Sequence, residues 1–187
     1  MAHELDDLGR GNRLRSLNEE PRGAVHGELD ALSRIAEWLE EIGLDVRWEV
    51  IEGSTAMAGS TIDSGVLVID AAALDHPGDL LHEAGHLAVV TGAARAEITG
   101  STGSDGGLEM AAIAWSYAAL RHLSLHPTVV FHEDGCRGGS SALIENFSAG
   151  RYLGVPLLQW LGLTVDAGRA LELGIDAYPH MVKWVVA

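Results

Sequence analysis

The chain has 187 residues, 47% of them hydrophobic and 21% charged, so it is long and apolar enough to bury a core and is not a disordered protein. Its 27 acidic residues against 12 basic ones give a formal net charge of −15. Such a surface repels phosphate backbones and anionic lipid headgroups, which excludes nucleic acid and membranes as expected partners.

Residues 1–23 are polar and carry Gly9, Gly11, Pro21 and Gly23, which predicts a flexible N-terminal arm ahead of a single domain over 24–187. The arm has no apolar segment of the signal-peptide kind. The one cysteine, Cys136, excludes an internal disulfide and any metal site built from several thiolates. Both features favour a cytoplasmic location, and no apolar run approaches the roughly 18 residues that span a bilayer.

Over residues 24–42 the apolar positions Ala31, Leu32, Ile35, Ala36, Trp38, Leu39 and Ile42 recur at helical spacing, with Gly43 suited to a C-cap. Residues 45–51 alternate Val46, Trp48 and Val50 with charged neighbours and predict a half-buried strand. Residues 52–64 are rich in glycine, serine and threonine and predict a loop or hairpin, followed by a short apolar strand over 65–70. Pro77, Gly78 and Asp79 open a helix through about residue 91. A loop over 92–107 precedes a nearly all-apolar helix over 108–124. A short strand over 128–132, a turn from Asp134 to Gly139, a helix from Ser140 to Phe147 and short helical pieces beyond residue 154 complete the chain. The expected class is α+β, with a small mixed sheet packed on two central helices.

The segment Leu80-Leu81-His82-Glu83-Ala84-Gly85-His86-Leu87 carries the chemistry. Positions four apart on a helix share a face, so His82 and His86 can place two imidazoles on one cation. Glu83 lies about 100° round the helix, where its carboxylate reaches a metal-bound water without ligating the metal. In this H-E-x-x-H arrangement the metal is zinc, the pKa of its water falls from 15.7 to about 7, and the glutamate takes the proton as general base. Gly85 costs a helix about 1 kcal/mol and suggests close packing or substrate approach.

Catalytic zinc needs a third protein ligand. Val89 and Gly92 stand where the metzincin pattern demands glycine and histidine, which rules that extension out. Glu109 is the best candidate, because an ionised carboxylate at the start of the most apolar helix is costly unless paired or metal-bound. The other role open to it is to favour the helix N-terminus. Glu145 is a reserve ligand.

With Glu109-Met110-Ala111-Ala112-Ile113-Ala114-Trp115 on the second helix, the chain resembles the gluzincin group of zincin metallopeptidases, including the small ImmA/IrrE-like peptidases. The likeness covers residues 65–120. It implies a zincin-like fold, zinc held by His82, His86 and Glu109, Glu83 as base, and hydrolysis of a peptide or protein substrate. Larger members place an aspartate four residues after the ligand glutamate to orient the first histidine, and here that position is Ile113. The resemblance also implies that the strand over 65–70 lines the cleft and pairs with substrate, which physically requires an exposed sheet edge.

Tyr117, His132 and Tyr152 are chemically suited to stabilise the oxyanion, each also having an ordinary structural role open to it. His122 and His126 read as surface histidines, and Cys136 sits in a glycine-rich turn. Two competing readings remain: a non-catalytic zincin-like module that uses its metal for folding or binding, and an interaction protein whose apolar C-terminus, Val182 to Ala187, forms a homodimer.

Overall fold

The computed structural model describes residues 22–187 except 54, 56, 101–104, 134 and 136–139. The predicted arm before residue 22, and Cys136, lie outside the described residues. In chain order the elements are α1 (Arg22–Glu41), β1 (Val46–Trp48), β2 (Ser60–Asp63), β3 (Val66–Ile69), α2 (Asp79–Ala88), α3 (Gly92–Arg95), α4 (Gly106–His122), a 3-10 turn (Pro127–Val129), α5 (Ser140–Ser148), α6 (Val155–Trp160) and α7 (Ala167–Leu173). This is a mixed α+β arrangement, with seven α-helices and three strands among the described residues.

α1 buries the predicted stripe, from Ala31 and Leu32 through Ile35 and Ala36 to Trp38 and Leu39. Gly43 ends it with φ +88°, which lets the Leu44 amide reach back to the Leu39 carbonyl at 3.0 Å. The chain then enters β1, which pairs in parallel with β3, while β2 pairs antiparallel with β3 across the tight turn at Ser64 and Gly65. Both turn residues have positive φ, as a two-residue hairpin of matching twist requires.

The strand order is β1-β3-β2, so β3 is the central strand. The expectation that it offers a free edge to substrate is therefore wrong: both of its edges are already paired. β1 is shorter than predicted, and Trp48 and Val50 are 51% and 78% exposed rather than half-buried.

The predicted strand over 128–132 is instead a 3-10 turn. Pro127 presets its first φ and the His126 side chain accepts from the Thr128 amide, so local capping overrides the β-branched Thr128-Val129-Val130 run. The predicted loop over 92–107 begins with a helical turn, capped by Thr91.

α2 and α4 pack face to face in opposite directions. Leu81 meets Ser116, whose hydroxyl lies 3.2 Å from the Leu81 carbonyl, and Gly85 meets Ala112. A Cβ at Gly85 would sit 2.8 Å from the Ala112 carbonyl oxygen, so the reason for glycine there is helix packing, not substrate approach. Leu80, Leu81, Ala84, Leu87 and Ala88 of α2 and Ala111, Ala114, Trp115, Ala118 and Leu120 of α4 are fully or almost fully buried in a core shared with α1, the sheet and the C-terminal segment.

That segment closes the far side. Trp184 packs edge-on against Trp38 and Trp115, and its carbonyl accepts from the Trp115 indole at 2.8 Å. The Val186 amide donates to the Ala88 carbonyl at 2.9 Å. Residues 184–186 are thus half-buried against their own chain, while Val182 is 52% exposed.

Candidate metal centre

The α2–α4 contact brings three predicted residues together. His82 and His86, one turn apart on α2, have their Nε2 atoms 3.2 Å apart. Glu109, in the first turn of α4, places Oε1 3.5 Å from His82 Nε2 and Oε2 3.3 Å from His86 Nε2. Asp105 is the N-cap of α4, its carboxylate accepting from the Gly107 and Leu108 amides at 2.8 and 3.0 Å. The capping role open to Glu109 is therefore already filled, and its carboxylate turns to the histidines.

The spacing fits a small divalent cation. Metal–ligand bonds of about 2.0–2.2 Å in a tetrahedron set neighbouring ligand atoms about 3.3 Å apart. The two imidazole nitrogens are 3.2 Å apart, one atom from each of the three residues lies within 4.8 Å of the others, and the histidine–carboxylate distances are longer than the 2.7–2.9 Å of a charge-assisted hydrogen bond. Among the described residues, these three are the group of histidine and acidic side chains close enough to share an ion.

Burial supplies the right protonation states. His82 is pushed down to about 3, chiefly by burial and then by His86, and burial also lowers His86 against the opposing pull of Glu109. Both imidazoles are neutral at physiological pH and offer lone pairs. His82 Nδ1 is buried with no hydrogen-bond partner among the described residues.

Glu83 lies on the same helix, half-buried, and does not belong to the ligand triangle. Burial, then Asp79 and Glu109, raise its pKa from 4.5 to about 7. A base is most useful when its pKa lies near the working pH.

The other candidates separate cleanly. Tyr117 is buried in an aromatic cluster with Phe131, Phe147, Tyr152 and Tyr178, and Tyr152 packs into the same cluster. His132 does not lie in that cluster. Its Nε2 is 2.8 Å from Asp79 Oδ1, and its ring stacks on His76 with centroids 3.7 Å apart. Nothing in the sequence marks Asp79 as more than a helix-opening acid, so this pairing was missed. Glu145 is exposed and pairs with Arg151 at 3.3 Å, away from the triangle. His122 packs on Trp38 and Trp184, and His126 caps the 3-10 turn.

No family model, curated protein or solved structure matches this chain. Among the described residues, no helix is long and apolar enough to cross a membrane.

Proposed function

We propose that the protein is a zinc-dependent hydrolase of the gluzincin type, cleaving peptide bonds in a peptide or protein substrate. The observation that carries this reading is the cluster of His82, His86 and Glu109, whose ligand atoms lie within 4.8 Å of one another, with Glu83 of raised pKa on the same helix. Among the described residues three side chains lie close enough to share an ion, which is the ligand number of a catalytic zinc, whereas a structural zinc centre closes with four. That count favours the enzyme over a non-catalytic metal-binding module.

His82, His86 and Glu109 would hold the ion, which supplies Lewis acidity to polarise a carbonyl and acidify a water. Glu83, beside the cluster and with its pKa raised to about 7, would serve as the proton acceptor and donor of the hydrolysis. Its raised pKa suits both halves of the task, since a group near neutrality gains and releases a proton at similar cost.

The test is hydrolysis of a fluorogenic peptide library by the zinc-loaded protein. Glu83→Gln should keep its zinc and lose at least about 100-fold in kcat/KM. Undiminished hydrolysis by that variant would reject Glu83 as the base.

A further inference from the structure

We infer that the open edge of β1 joins two copies of this chain, strand against antiparallel strand, with Trp48 of one copy facing Trp48 of the other. The inference does not depend on the metal centre.

β1 is an end strand of the sheet, and among the described residues only β3 pairs with it. Its bonds on that side use odd-numbered residues. The Leu67 amide donates to the Asp45 carbonyl at 2.9 Å, and the Glu49 amide donates to the Ile69 carbonyl at 3.0 Å. The Ile51 amide continues the series by donating to the Asp70 carboxylate at 3.1 Å. Successive residues of a strand aim their backbone groups at opposite edges, so the amides and carbonyls of Val46, Trp48 and Val50 face away from β3. Such an edge is a template for a further strand.

The side chains alternate too. Val46 and Trp48 lie opposite Leu67 and Ile69, on the face that carries the core. Trp48 is nonetheless 51% exposed and Val50 78% exposed, so the fold covers them only in part. Arg47 and Glu49 stand on the other face, paired at 2.9 Å.

A second copy supplies what this edge lacks. Val46-Arg47-Trp48-Glu49-Val50 reads the same in both directions once the basic and acidic residues are exchanged. In an antiparallel pair centred on Trp48, Val46 of each copy meets Val50 of the other, and Arg47 of each meets Glu49 of the other. Apolar pairs and opposite charges at facing positions stabilise neighbouring strands, and a two-fold interface needs this kind of self-complementarity. The backbone allows even-numbered residues to oppose only one another, which removes every register centred between two residues. The two nearest registers that remain oppose like charges. Centring on Arg47 sets Arg47 against Arg47 and Asp45 against Glu49, and centring on Glu49 sets Glu49 against Glu49.

The test is sedimentation equilibrium of the full-length chain from about 1 to about 300 μM. The wild type should rise with concentration from the 19.8 kDa of one chain towards twice that mass. Glu49→Arg sets arginine against arginine across the axis, and Arg47→Glu sets glutamate against glutamate. Each variant alone should associate at least about 10-fold more weakly. Mixed in equal amounts, the two restore both opposite-charge pairs, and the mixture should return to the wild-type mass. Arg47 also bonds Asp63 at 2.7 Å, so thermal unfolding of Arg47→Glu is checked first. Should that variant not fold, Glu49→Arg and hydrogen exchange of the wild type decide, with exchange over residues 46–50 expected to slow as concentration rises. A wild type that keeps the mass of one chain throughout overturns the inference, as does exchange that ignores concentration. Association left unchanged by Glu49→Arg, or a mixture no heavier than its components, also overturns it.

Discussion

Gly85 packs against Ala112 so tightly that a single methyl group would meet the Ala112 carbonyl oxygen at 2.8 Å. The contact sets how close α2 comes to α4, and hence whether Glu109 reaches His82 and His86. Helix propensity alone predicts that Gly85→Ala stabilises by about 1 kcal/mol. The packing predicts the opposite, because a side chain forced into a filled interface costs about 1–3 kcal/mol. Thermal unfolding of Gly85→Ala should show a melting temperature several degrees below wild type, with weakened metal retention.

The metal-free protein should show a pH dependence to which Glu83 and His82 contribute with opposite signs. Glu83 has its pKa raised to about 7 in the fold, so the native state holds this proton more tightly than the unfolded chain does. Stability from this group is present at low pH and is lost as pH rises from 4.5 through 7. Glu83→Gln removes the penalty, and the variant should exceed wild type at pH 8 by on the order of 2 kcal/mol, converging with it near pH 4. His82 has the opposite sign: its pKa is depressed to about 3, so the unfolded chain takes up the proton first and stability falls as pH drops below 6.5. Urea midpoints across pH 4–8 check both arms, and identical profiles for the two proteins would contradict the Glu83 assignment.

Arg95 ties the end of α2 to the C-terminal segment. Its guanidinium donates to the carbonyls of Leu87 at 2.7 Å, Val90 at 3.2 Å and Val186 at 2.9 Å. Arg95→Ala leaves these acceptors unpaired and should destabilise by about 2 kcal/mol. For a chain of this length that lowers the melting temperature by roughly 4–8 °C. Arg95→Lys should not restore it, since one ammonium cannot span the positions that a planar guanidinium bridges. Calorimetry of the two variants decides the point.

The α2–α4 core was legible because its signals are local. Apolar residues at helical spacing, a proline–glycine–aspartate start and histidines four apart all lie within one turn or two of each other. Glu109 was legible as an acid in an apolar helix, and the structure explains its freedom by giving the cap to Asp105. What escaped depends on distant partners. The central place of β3 comes from β1, which returns beside it from the far side of a long connection. The run Thr128-Val129-Val130 has strand-like composition, but its conformation follows from Pro127 and the His126 cap. The pairing of His132 with Asp79 joins positions 53 residues apart, and no spacing rule reaches that far.

The central claim is that three side chains from two helices converge on one divalent cation. Zinc stoichiometry after exhaustive dialysis, measured by atomic emission on wild type and Glu109→Gln, tests it most directly. Glu109→Gln preserves size and removes the ligand charge. The expected result is one zinc per wild-type chain and less than about a tenth of that in the variant, a loss of at least about 1.4 kcal/mol in binding free energy. Equal zinc in the two proteins, or none in wild type, would contradict the claim.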